Sequence, residues 1–448
     1  MDMKKFHYII ILGVGLSLAA CKKFLGERSQ SYLRIPTTVS DFQSLLDNYS
    51  TMNYMDLSSA EMVAGDFYLT DADWASRTEQ ERRLYIWETT NVMSVTSNDW
   101  INMYNMVYRA NTVIEGTDEL HAVKNLEWDN VLGQGYYYRA KSFLQLLGSY
   151  ALAYDEQEEN PGIPLRLDAD FNKKSTRATV KQSYQQVIDD LKKAVRLLQV
   201  APVHVMRPSK PAAHALLARA YLMMRKYEQA GLHADSCLQM KSDLIDYNTL
   251  NLSSTNPFVM FHPETIHYTR FQNPASLSNV RAKIVPEIIN SYADGDLRKQ
   301  AFYRVNAGTY VQRGSYSGET IPFGGLATDE IYLIRAEGHA RANRLQAALA
   351  DLNTLLKKRW DKNKVFVPYT ADTKEAALDI VLSERRKELT LRGLRWSDIK
   401  RLNKEGRGIS LTRTINGVTY TLPANSPRFA NPIPENIIDV SGMEQNKY

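Results

Sequence analysis

The chain has 448 residues, 44% of them hydrophobic and 23% charged, with a formal net charge of +5. That balance describes a globular chain able to bury a core, not a disordered or fibrous one. The small, dispersed positive excess excludes the basic face that grips nucleic acid, and a total of 2 cysteines excludes a disulfide scaffold.

The first readable element is a leader. Lys4 and Lys5 precede an apolar run from Tyr8 to Ala20. It is shorter than the roughly 20 residues that a membrane-spanning helix requires. The run ends at Leu18-Ala19-Ala20-Cys21, which resembles the bacterial lipobox. The expectation is a signal peptide over 1–20, cleavage before Cys21 and acylation of that cysteine. Acyl chains at about 0.8 kcal/mol per buried methylene would then tether the body, 21–448, with Lys22 to about Leu33 as a flexible leash.

Residues 60–100 follow, rich in Phe67, Tyr68, Trp74, Tyr85 and Trp87 but without clean periodicity. Helical patterning then takes over. Ile101, Tyr104, Val107, Tyr108 and Asn111 to Ile114 form one 3.6-residue stripe, and Leu132, Tyr136, Ala140, Phe143 and Leu147 a second. Val180, Tyr184, Val187, Leu191, Ala194 and Leu198 make the clearest. Ser209 offers an N-cap with Pro211 in the first turn, and a break at Arg225-Lys226 turns this helix into the next (Tyr227, Ala230, Ala234, Leu238). Cys237 lies on the apolar side of that second helix, the place of a small core residue rather than a nucleophile.

The same hairpin shape returns in "DEIYLIRAEGHARANRLQAALADLNTLL", broken at Ala342-Asn343. Small residues at helix crossings in such pairs resemble tetratricopeptide units. Between the two copies, 250–325 carries Phe258, Phe261, Tyr268, Phe271 and Phe323 among Gly, Pro and Asn. "YVQRGSYSGETI" reads as a short hairpin there, and "TRTINGVTYTL" as a stronger one, with Asn416-Gly417 as a type I′ turn. Long irregular loops of this kind usually carry function.

In "AALDIVLSERRKELTLRGLRWSDIKR" an apolar stripe runs into Glu384, Arg385 and Glu388. Charges on a core-facing stripe need partners. Arg395 and Asp398, beyond Gly393, are the expected ones, with Trp396 as a lid; the reading is an ion-pair network locking helix to loop, with a ligand or catalytic pocket as the alternative. Chemistry of other kinds is not written in the chain. The glycines form no phosphate loop, no serine sits in a Gly-x-Ser-x-Gly elbow, and His262 and His267 do not share a helical face. No enzyme, cofactor or metal is expected.

The chain resembles the SusD/RagB family of surface lipoproteins of Bacteroidota. The resemblance rests on the lipobox with "CKKFL", on "MYNMVYRANTVIE" with "GYYYRAKSFLQLLGSYA", and on "DEIYLIRAEGHAR" with "ALADLNTLLKKR". "SERRKEL" with "GLRWSDIKR" and the ending "PIPENIIDVSGMEQN" complete the order. It implies a mainly α fold: a tetratricopeptide-like scaffold of helical pairs, a loop-rich half and short β-hairpins, in one domain with parts at about 21–250 and 251–448. It also implies a non-catalytic protein on the outer membrane, lipid-anchored and facing the cell surface. Such proteins bind oligosaccharides, or in some branches peptides, as a lid on a SusC-like TonB-dependent transporter. A scaffold for outer-membrane assembly is the alternative from another class.

Ligand residues vary within the family, so the site is argued from physics. Sugar C–H faces stack on aromatic rings while hydroxyls need polar rim groups. That places the ligand at Asp66, Tyr68, Trp74, Trp87, Asn98 and Trp100 from the first aromatic segment, and at Tyr303, Tyr310 and Tyr316 from the second.

Overall fold

The computed structural model describes residues 36–119 and 125–448. The leader, Cys21 and the leash lie outside those residues.

Among the described residues nine helices build the frame: α1 (Asp99–Glu119), α2 (Leu126–Tyr150), α3 (Val180–Leu197), α4 (Lys210–Met223), α5 (Tyr227–Met240), α6 (Thr328–Arg341), α7 (Leu345–Lys357), α8 (Lys374–Glu388) and α9 (Arg395–Asn403). Their ends follow the sequence. Thr179 and Gln182 close a capping box on α3, and Ser209 accepts from the Ala212 amide at the start of α4. The stops at Arg225 and Asn343 are single left-handed residues, φ 59° and 58°.

Each helix from α1 to α7 packs on the next, and α8 packs on both α6 and α7. The two hairpins that resemble each other, α4–α5 and α6–α7, are therefore neighbours in space although 241–327 separates them in the chain. Their contact is the α5–α6 crossing, where a Cβ at Gly338 would stand 3.3 Å from the Gly231 Cα and 3.1 Å from the Tyr227 carbonyl oxygen. Glycine is what lets the two backbones meet.

The long insertion is stapled on by short strands. A four-stranded sheet runs β1 (Phe67–Tyr68), β5 (Lys283–Ile284), β7 (Thr309–Gln312), β6 (Tyr303–Asn306), joining both aromatic segments. The hairpin expected over "YVQRGSYSGETI" lies one element earlier. Ala307 and Gly308, with φ 47° and 78°, form its turn between β6 and β7, while Gly318 closes a separate turn by donating to the Ser315 carbonyl at 2.9 Å. The second hairpin, β9 (Leu411–Ile415) with β10 (Val418–Leu422), turns at Asn416-Gly417 as expected. Two more strand pairs, β2 (Pro161–Pro164) with β3 (Arg177–Thr179) and β4 (Thr265–His267) with β8 (Leu326–Ala327), pin loops to the frame.

The charged stripe of α8 is a buried ion network, with different partners from those expected. Arg385 does pair with Asp398 at 2.9 Å, and Trp396 is fully buried against Phe429. Glu384 and Glu388, however, are taken by Arg298 at 2.6 and 3.0 Å, and Glu388 also by Arg359 at 2.8 Å. Arg395 turns away toward Asp66. Bidentate and shared guanidiniums are what such a buried set needs, since each isolated carboxylate would cost several kcal/mol.

Candidate functional site

A cleft of about 260 Å³ opens between α1, the loop 164–175 and the C-terminal segment around Ile437–Met443. Its floor is Trp100, only 3% exposed and packed against Tyr104 and edge-on against Tyr150 with ring centres 5.0 and 5.1 Å away. Its walls are open aromatics: Tyr108 is 50% exposed and Phe171 80% exposed. Asn111, Arg166, Asp168 and Ser175 supply the polar lining.

The loop wall is rigidly held from below. Tyr104 Oη donates to the Pro164 carbonyl at 2.7 Å. Asn111, fully buried in α1, donates to the carbonyls of Arg166 and Asp168 at 3.0 and 2.8 Å and accepts from Arg139 at 3.0 Å. Arg139 is in turn clamped by Asp190 on α3. Arg166 donates to the Lys173 carbonyl and Ser175 Oγ at 2.6 and 3.1 Å, and Lys173 pairs with Asp168 at 2.8 Å. The opposite wall is tied by Asn446, which donates to the Tyr150 and Asn431 carbonyls at 2.9 and 2.8 Å. Exposed rings held on a fixed polar frame can stack on a flat, weakly polar ligand face without first being ordered.

A second, more polar groove adjoins this cleft. It shares Ser175, Ser441 and Met443 with it and runs past Lys174 and Arg177 along β3.

Of the residues expected to contact ligand, Trp100 alone lines the cleft. Five others are spent on the interior. Asp66 is buried between Arg386 and Arg395, at 2.9 and 3.7 Å. Trp87 donates its indole N–H to the Val63 carbonyl at 3.1 Å beneath the Arg413 guanidinium. Asn98 caps α1, accepting from the Ile101 amide at 2.9 Å. Tyr303 meets Tyr292, and Tyr316 donates to Glu264 at 2.9 Å. All five are buried. Tyr68, Trp74 and Tyr310 remain half-buried at the sheet. Tyr68 lies opposite Lys283, which lies opposite Val311, so strand alternation sends Tyr310 to the other face from Tyr68. Trp74 lies on the short helix Asp71–Ala75, donating its indole N–H to the Arg82 carbonyl at 3.1 Å, while its neighbour Asp73 holds Lys283 at 2.7 Å.

Tyr108, Asn111 and Phe171 line the cleft but carry little signal in the sequence. Tyr108 and Asn111 sit inside an apolar stripe, and only the amide of Asn111 on such a stripe hints at a second role. Phe171 is the lone aromatic in "DADFNKKS", which is its only signal.

Comparison with known proteins places this fold. Residues 23–222 match the SusD-like family model described as "Starch-binding associating with outer membrane", and 281–448 match the model of the SusD family. The chain belongs to the SusD/RagB family. A SusD superfamily protein from Bacteroides thetaiotaomicron VPI-5482 has the same fold, with a TM-score of 0.73 and 20% identity over 92% of this chain and 100% of that one. A SusD-like carbohydrate binding protein from Bacteroides vulgatus ATCC 8482 gives 0.70 and 19%, over 91% and 97%. A SusD superfamily protein from Bacteroides fragilis gives 0.73 and 16%, over 91% and 99%. At these identities the likeness concerns the fold. No protein of curated function matches the sequence.

Proposed function

We propose that this protein binds an oligosaccharide in the aromatic cleft and delivers it, as a lid, to a SusC-like TonB-dependent transporter. In this reading acylated Cys21 is the tether to the outer membrane, with the body facing the cell surface. The observation that carries the proposal is the pair of exposed rings, Tyr108 and Phe171, over a polar frame anchored through Asn111. The family description, starch binding in association with an outer membrane, points to the same ligand class. Binding, rather than turnover, is what such a cleft supplies: rings and hydrogen-bond groups with no nucleophile–base pair among its lining residues.

A peptide ligand is the second reading. The adjoining groove favours it, because the backbone of β3 borders it and could pair with an extended chain. Affinity gels of the soluble form beginning at Lys22, run against neutral polysaccharides and peptide mixtures, decide between them. Retardation by a glycan that Tyr108→Ala abolishes supports the first reading. Binding confined to peptides replaces it with the second.

A further inference from the structure

A second cleft, of about 390 Å³, lies on the other side of the ion network, between the short helix Pro286–Asn290, α8 and α9. Its size falls in the range of about 300–1,000 Å³ typical of small-molecule sites. Ile288, Leu382 and Ile409 give it an apolar strip, and the exposed hydroxyls of Ser291 and Ser383 sit at its edge. Four cations line it: Arg386, Lys387, Arg395 and Arg407. Two of them are neutralised locally, Lys387 by Glu384 and Arg407 by Asp379.

The other two share one carboxylate. Arg386, with its side chain 33% exposed, binds Asp66 through Nε at 3.0 Å. Arg395, with its side chain 14% exposed, lies 3.7 Å from the same oxygen and makes no hydrogen bond among the described residues, its Nε being buried without a partner. Two other carboxyls stand near Arg395: Asp398 is already taken by Arg385 and Arg401, and Glu61 does not supply the missing charge. Burial, reinforced by the nearby Asp66, pushes it up to about 8, so it is neutral near pH 7. Asp379 and Glu287 are the acids that line the cleft; both are exposed, and Asp379 is already paired. A guanidinium in a cleft whose Nε is buried without a hydrogen bond, and whose one carboxylate neighbour stands 3.7 Å away, is an acceptor-seeking group, and a planar carboxylate matches its fork in two parallel bonds.

We propose that this cleft is a second ligand site, which takes the carboxylate of an acidic saccharide on Arg395 and Arg386, with the sugar ring over the half-buried Leu382. The saccharide part of this assignment rests on the glycan reading above; the oxyanion part rests on Arg395 alone.

Calorimetry with a short galacturonate oligomer, a neutral glucan oligomer and inorganic sulfate tests it. The expected result is galacturonate binding that weakens about tenfold or more in Arg395→Gln, with thermal melting as the check on folding. Ser383→Glu, at an exposed position on the rim, should weaken it too by repulsion, without touching the interior. Neutral glucan binding, if it follows Tyr108, should be unchanged in both variants. Galacturonate binding that is absent, or that ignores both Arg395→Gln and Ser383→Glu, overturns the proposal and leaves the neutral-glycan result to judge the other cleft. Sulfate competing as tightly as galacturonate overturns the saccharide assignment.

Discussion

Glu61→Gln should make the protein more stable at neutral and alkaline pH and change little in acid. Glu61 is fully buried on the short helix Ser59–Val63; one carboxyl oxygen accepts from the Gly393 amide at 2.8 Å and the other has no partner. Burial, then the charge of Asp66, raises its pKa from 4.5 to about 8. A carboxyl raised in the fold contributes stability that is fully present below its unfolded pKa and is lost as pH rises through the folded one. The window is therefore pH 4.5 to about 8. A shift of that size, at about 1.36 kcal/mol per pH unit, sets a ceiling of roughly 5 kcal/mol. Glutamine keeps the shape and the acceptor for Gly393 but never ionises, so it avoids that loss. Denaturant unfolding of both proteins at about pH 5, 7 and 9 should show the variant gaining roughly 3–5 kcal/mol at the top of the range and almost nothing at the bottom. An equal loss of stability at every pH would mean that the carboxyl is ionised in the fold, and the reasoning would fail.

Arg298→Met leaves Asp296, Glu384 and Glu388 without their shared cation and should cost about 3–5 kcal/mol. Arg298 holds Asp296 and Glu384 below the usual carboxylate range despite their burial, so the gap from the parent should narrow on acidification; a pH-independent gap would contradict this. Gly338→Leu drives a side chain into the Gly231 backbone and should destabilise by about 1–3 kcal/mol, measured by the same unfolding assay. Cys237, whose thiol burial pushes up to about 12, should ignore a thiol reagent in the folded soluble form and react fully once the chain is unfolded.

The helical frame was legible because amphipathic period and stop signals are local: Ser209, Arg225 and the Asn416-Gly417 turn each act within a few residues. The partners of α8 were not, because Arg298 comes from a segment without periodicity and Arg359 lies just past the end of α7, so both meet Glu388 only through the tertiary fold. The burial of the aromatic segments was hidden for a related reason. Trp87 and Tyr316 have the same composition around them as a surface platform, and only the packed structure reveals that Val63 and Glu264 take their polar ends. Tyr108 erred in the opposite direction. It lies at the edge of the apolar arc of α1, where a 3.6-residue pattern cannot tell a core ring from one facing solvent.

The most direct test of the central claim is calorimetry of the soluble form with whichever neutral oligosaccharide it retains, comparing the parent with Tyr108→Ala and Trp74→Ala. The cleft account predicts that Tyr108→Ala weakens binding about tenfold or more through loss of a stacking ring, while Trp74→Ala leaves it unchanged. The reverse pattern would contradict it and move the site to the half-buried rings beside the four-stranded sheet.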